Sequence, residues 1–181
     1  MGILDPLVSN IFSGITSFGN GRHVWKPHEN KVIIYYTTRE CRQPKMDDPR
    51  TVNKIRQAVR NMGKLILSVS PTAKAQDILT SDMYDTFRDI ATLKIPSLFT
   101  HLNHGRIIHT AISNMLISAE AIGVGDHSEQ QKLLRKMNTL WPKDVTRRMT
   151  YEARQKKLDN EDKLLTLEEL HEDLRLLKEG I

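Results

Sequence analysis

The sequence has a single cysteine, Cys41, among its 181 residues. One thiol excludes an intramolecular disulfide and a zinc site built from four cysteines, and it favours a reducing compartment. No apolar run reaches the roughly 18 residues that a membrane-spanning helix needs. We therefore expect an intracellular, cytoplasmic protein, with peripheral attachment to a membrane as the alternative.

Familiar catalytic and metal-binding motifs are also missing. The sequence contains no GxxxxGK[ST] phosphate loop, no GxGxxG after a strand, no HExxH and no GxSxG. His101, His104 and His109 are close together, but residues 90–119 contain no Cys, Asp or Glu that could complete a metal site. We expect no cofactor, no metal and no catalysis, so the chain is predicted to work by binding.

Hydrophobic residues make up 39% of the chain, which is enough for one domain with a real core. Apolar residues recur at helical spacing, and residues 105–122 are apolar on nearly every side, which predicts a buried central helix. The expected fold is a mainly α, multi-helix globular domain. Its expected divisions are an N-terminal amphipathic helix (1–20), a loop and strand segment (21–48), a helical core (49–141) and basic then acidic C-terminal helices (142–181).

A minor β element is predicted near residues 31–38. The segment KVIIYYTT has no helical period and is rich in β-branched and aromatic residues. Because one strand cannot form a sheet, it needs a partner. The segment around His23–Trp25 is one candidate, and a second chain is the other.

The N-terminal helix is expected to start at Asp5-Pro6, a capping side chain followed by proline at the first helical position. Its apolar face is a candidate membrane or partner helix, made of Leu4, Leu7, Val8, Ile11, Phe12 and Ile15. Burying this face is worth on the order of 10 kcal/mol, so something must cover it. The candidates are the protein's own core, a lipid surface, a partner protein and a second copy.

The net charge of +5 conceals two basic blocks and an acidic end. Residues 41–70 and residues 128–159 each carry a net charge of +5, whereas residues 160–181 carry −4. The candidate anion-binding residues of these blocks are Arg50, Lys54, Arg56, Arg60, Lys64, Lys143, Arg147, Arg148, Arg154, Lys156 and Lys157. Among them, Arg56, Arg60 and Lys64 recur every four residues, which predicts one outward-facing helix ridge suited to phosphate groups.

The pattern favours a non-enzymatic scaffold that binds an anionic partner and self-associates. That partner is either nucleic acid or nucleoprotein, or an anionic membrane surface. Small matrix-like proteins of RNA viruses have an analogous layout, although none of their motifs occurs here. The alternative is an adaptor or host-factor antagonist that captures a protein partner in a helical groove. Residues 41–70 contain no aromatic residue and residues 143–158 contain one, Tyr151, so sequence-neutral contact with phosphates is favoured over base stacking.

Overall fold

A computed structural model describes residues 2–15, 17–18, 23–100 and 104–180 of the chain, without the side chains of residues 17, 23, 162, 164–166, 173 and 176. The described residues form eight α-helices and one two-stranded antiparallel sheet, which confirms the predicted mainly α, multi-helix fold. His101 lies outside the described residues.

The helices are α1 (Pro6–Ser13), α2 (Lys31–Glu40), α3 (Pro49–Val69), α4 (Ala75–Ile78), α5 (Tyr84–Ala91), α6 (Gly105–Ile122), α7 (His127–Thr139) and α8 (Arg148–Lys178). The strands are β1 (Ser17–Phe18) and β2 (His23–Val24). Two short 3₁₀ turns (Pro27–Glu29 and Ser81–Met83) and a π-helical turn (Pro142–Arg147) connect them.

Helix α6 is at the centre of the core, as its apolar sequence predicts. It contacts α2, α3, α5 and α7. Its buried positions include Ile108, Ile112 and Met115, which are fully enclosed. A helix that is surrounded by four others has little need of a polar face, which explains the apolar composition of residues 105–122.

The predicted strand near 31–38 is wrong, because this segment is helix α2. Its buried side chains are Val32, Ile33, Tyr36 and Thr37, which form one helical face against α6 and α3. The hydroxyl of Thr37 donates to the carbonyl of Ile33 at 2.8 Å, so the buried polar group is satisfied inside the helix. Burial against neighbouring helices therefore outweighs the β preference of the segment.

The segment around His23–Trp25, one of the two candidate partners for that strand, pairs elsewhere. Strand β2 pairs antiparallel with β1, so that Ser17 lies opposite Val24 and Phe18 lies opposite His23. The hairpin directs Trp25 against α3, where a Cβ atom on Gly63 would lie 2.5 Å from the indole ring. Glycine at position 63 is what lets the N-terminal segment pack closely on α3.

Helix starts follow the Asp-Pro signals of the sequence. The carboxylate of Asp5 accepts a hydrogen bond from the backbone N–H of Leu7 at 2.8 Å, and that of Asp48 accepts from Arg50 at 2.9 Å. Helix α1 ends at Ser13, earlier than the apolar pattern of residues 4–18 predicts, because the chain then turns into the hairpin.

Candidate anion-binding surface

Helix α3 carries five basic residues and no acidic one. The sequence has no Asp or Glu from residue 49 to residue 76. Arg50 and Lys54 are exposed, whereas Arg56, Arg60 and Lys64 are half-buried. None of the five forms an ion pair with a carboxylate of the described residues. Their charge is therefore not neutralised locally.

The predicted ridge of Arg56, Arg60 and Lys64 is only partly a free surface. The guanidinium of Arg60 donates to the carbonyl of Gly14 at 3.4 Å and lies 5.7 Å from the centre of the Phe18 ring. The Arg56 side chain passes 3.5 Å from the place where a Cβ atom on Gly14 would lie. Both arginines thus help to hold α3 against the N-terminal segment, which the helical spacing did not reveal.

Lys54, one of the two exposed cations of α3, faces a groove between α3 and α6, called groove one here. Its volume is about 290 Å³. The residues that line it are Lys54, Gln57, Ala58, Asn61, Met62, Arg106, Ile107, Thr110, Ala111 and Asn114. Apolar side chains form the floor, amides and two cations form the rim, and no carboxylate belongs to this described lining.

A second groove, groove two, lies where α8 leaves the core. It has a volume of about 460 Å³ and is lined by Gly105, Arg106, Val145, Thr146, Met149, Thr150, Ala153, Arg154 and Lys157. A Cβ atom on Gly105 would lie 2.7 Å from the sulfur of Met149. The start of α6 and the start of α8 are therefore in direct contact, and the groove opens beside that contact.

Arg106 lines both grooves and joins them. Lys54, Arg106, Arg154 and Lys157 line these two grooves on α3, α6 and α8, and the four cations are called the basic track here. The amino terminus of α6 adds the partial positive charge of a helix end beside Arg106. Because carboxylates are absent from residues 90–119 as well as from α3, the track has a uniform sign over its α3 and α6 sections.

Sequence reasoning missed Arg106, because it belongs to a segment whose net charge is −2. A signal was nevertheless present. Arg106 lies inside the carboxylate-free stretch of residues 90–119, so no neighbour along the chain can neutralise it. The separation along the sequence between Arg106 and the nearest Asp or Glu marks it as an unpaired cation, whereas the net charge of its segment does not.

The second predicted block is exposed, and its members differ in their pairing. Arg148 donates to Glu152 at 2.9 Å, and Lys157 lies 3.8 Å from Glu161. These are exposed pairs of one helix, which are worth at most about 1 kcal/mol each. The remaining members of the block form no ion pair with a described carboxylate: Lys143, Arg147, Arg154 and Lys156.

Asp85, Asp89 and Glu129 line neither groove and have partners of their own. Arg88 bridges Asp85 and Asp89 at 2.9 and 3.1 Å. Glu129 accepts hydrogen bonds from Lys132 and from both the hydroxyl and the backbone N–H of Ser81. These contacts, Lys132 first, hold the pKa of Glu129 down at about 2. These three carboxylates are thus paired within their own region, and among the described residues Lys157 is the one cation of the basic track that pairs with a carboxylate.

The apolar face of α1 is covered by the protein's own core. Val8, Ile11, Phe12 and Ile15 are all buried, Leu4 packs partly against the same core, and Leu7 is 43% exposed. The assignment of this face to a lipid surface or a partner is therefore wrong for the four buried side chains. The contact of α1 with α2 and α3 accounts for its hydrophobicity.

Cys41 is the one thiol of the chain, and it is buried. Burial raises its pKa, which lowers the fraction of reactive thiolate. Burial also lowers the pKa of His109, which packs beside Trp141. Within the described part of the chain, no three His, Cys, Asp or Glu side chains are grouped as a metal site would require.

Comparison with protein-family models, curated proteins and solved structures finds no match to this chain. Among the described residues, none of the helices has the combination of length and apolar composition that crossing a bilayer demands.

Proposed function

We propose that this protein is a non-enzymatic scaffold whose basic track binds the phosphate backbone of a nucleic acid, free or within a nucleoprotein, and which self-associates. The observation that carries the proposal is the row of four cations across two adjoining grooves, three of them without a described carboxylate partner. Neutralising several phosphates with Lys and Arg releases counterions, which supplies most of sequence-neutral binding.

Nucleic acid fits this surface better than an anionic membrane does. An interfacial helix needs an exposed apolar face beside its cations. The apolar face of α1 is instead largely buried, and the four exposed leucines that share one helix face, Leu167, Leu170, Leu174 and Leu177, lie on the acidic half of α8. Acidic residues are repelled by anionic lipid.

Binding is expected to be independent of base sequence. Helix α3 has no aromatic residue, and Tyr151 is the one aromatic side chain of α8. Stacking of successive bases needs several such platforms. Contacts to phosphate oxygens position a nucleic acid without reading it.

The test is fluorescence anisotropy of a labelled single-stranded RNA or DNA with the variant Lys54→Gln/Arg106→Gln/Arg154→Gln. We expect affinity to fall by about tenfold at physiological salt, because three phosphate contacts are lost. The matched control is Lys31→Gln/Lys94→Gln/Arg135→Gln, which removes three exposed cations that line neither groove. Equal affinities of the two variants would refute the proposal, and binding to acidic vesicles alone would replace nucleic acid with membrane.

A second candidate function is an adaptor that holds a protein segment in groove one. The apolar floor of Ala58, Met62 and Ile107 with an amide rim is the observation that favours it. Such binding would depend little on salt and would be weakened by Ile107→Gln more than by Lys54→Gln. Isothermal titration with a captured partner at low and high salt separates the two functions.

A further inference from the structure

The second half of α8 has an exposed leucine face. Leu167, Leu170, Leu174 and Leu177 are between 50% and 73% exposed. Their spacing of three and four residues places them on one side of the helix. Every described side chain from residue 153 to residue 179 is exposed, so the chain itself does not cover this face.

The sign of the charge changes along α8. Its first part carries Arg148, Arg154, Lys156 and Lys157, whereas residues 160–181 have a net charge of −4. The acidic half includes Glu168, Glu169 and Glu172, which are exposed. One helix therefore presents a basic stretch beside groove two and an acidic, leucine-faced stretch beyond it.

The acidic half cannot reach the groove of its own copy. Residues 143–179 contain no Gly and no Pro, so nothing in the sequence breaks the helix. At 1.5 Å per residue, the leucine face begins roughly 30 Å beyond the start of α8. Any groove that receives this face therefore belongs to another molecule.

We infer that the acidic, leucine-faced half of α8 binds groove two of a second copy, with the two α8 helices antiparallel. Antiparallel order brings the acidic half of each helix to the basic start of the other, whereas parallel order would place like charges side by side. Groove two offers an apolar floor (Val145, Met149 and Ala153) for the leucines and cations on its rim for the glutamates. The contact is the same on both copies, so it closes as a dimer.

This inference rests on the proposed function in one respect, because it names the contact by which the scaffold self-associates. It also adds a consequence. Arg106, Arg154 and Lys157 belong both to groove two and to the basic track. A nucleic acid and the α8 helix of a second copy would then compete for the same cations, so polyanion binding would separate the dimer.

The test uses two variants of the full-length protein, treated with nuclease and measured by sedimentation velocity. The groove variant is Arg106→Glu/Arg154→Glu, and the tail variant is Leu170→Gln/Leu174→Gln, which keeps good helix-forming residues. We expect each to weaken self-association by about tenfold or more, the effect of removing anchors from a helix-in-groove contact. The control Lys94→Glu/Arg135→Glu, with the same charge change outside groove two, should dimerise like the parent.

Mixing the two variants gives the decisive result. The intact tail of the groove variant fits the intact groove of the tail variant, so the mixture should form a one-to-one complex with one unaltered contact, at concentrations where each variant alone is monomeric. A groove variant that dimerises like the parent would overturn the inference in favour of a leucine–leucine contact between tails. A specific dimer should be populated at a protein concentration of about 0.1 mM. A parent protein that stays monomeric at this concentration would therefore overturn the inference as well.

The outcomes for self-association and for nucleic-acid binding can be told apart. Sedimentation is measured without nucleic acid, and circular dichroism verifies that each variant keeps its helices. One-to-one complex formation without any RNA or DNA binding would retain this inference and refute the proposed function. If the protein binds RNA or DNA while its groove and tail variants assemble like the parent, the proposed function is retained and this inference is refuted.

Discussion

Helices α3 and α8 are both rich in cations, but they differ in how far their remaining side chains are buried. Helix α3 buries six residues, among them Ile55, Val59 and Met62, and keeps its cations on the remaining surface. Helix α8 spans 31 residues, and its described side chains beyond residue 152 are all exposed. The cations of α3 thus lie on a helix that is anchored in the core, whereas the second half of α8 leaves its leucine face exposed.

The largest expected difference between the two helices is in stability. Met62→Ala removes a fully buried side chain of α3 and should lower the free energy of unfolding by about 2–5 kcal/mol. Leu174→Ala shortens an exposed side chain of α8 and should change it by less than about 0.5 kcal/mol. Urea denaturation at low protein concentration measures both. Similar losses for the two variants would contradict the comparison.

A smaller effect separates the two kinds of cation on α3. Arg56→Gln/Arg60→Gln removes side chains that contact the N-terminal segment and should cost about 1–2 kcal/mol of stability. Lys54→Gln/Arg106→Gln should cost less than about 0.5 kcal/mol, because both side chains are exposed. Thermal unfolding of the two double variants gives the order directly, and equal losses would mean that Arg56 and Arg60 are not structural.

The smallest expected effect concerns carboxylates. A pKa held down at about 2 means that Glu129 stabilises the fold above pH ~4.5 and that this contribution is lost as pH falls toward 2. Glu129→Gln should therefore flatten the decline of thermal stability between these pH values. The control is Glu168→Gln, which removes an exposed carboxylate of α8. A parent-like profile for Glu129→Gln would show that the Ser81 and Lys132 contacts do not stabilise the fold.

Much of the fold could be predicted from the sequence, because helix periodicity and Asp-Pro starts are local signals. Helix α6 has the predicted bounds of 105–122, and α3 begins directly after Asp48. The failure at residues 31–38 is also physical. Composition there favours a strand, but the positions that become buried, Val32, Ile33, Tyr36 and Thr37, are set by contacts with α3 and α6, which lie outside the segment.

The candidate surface could be predicted in part. The basic blocks are visible in the sequence, but the grooves depend on which helices meet. Arg106 lines both grooves because α6 packs beside α3 and also beside the start of α8, where Gly105 lies close to Met149. Arg56 and Arg60 are less exposed than the sequence predicts, because the N-terminal segment packs against them on α3. Neither relation is encoded in spacing along one helix.

The central claim is that the basic track binds phosphates, and the salt dependence of binding tests it most directly. The logarithm of the association constant for a single-stranded RNA should fall linearly with the logarithm of salt concentration. Lys54→Gln/Arg106→Gln/Arg154→Gln should make that slope shallower by about 2, since each phosphate contact contributes about 0.7. Parallel lines for the parent and the variant, or binding by the parent that does not change with salt, would contradict the account.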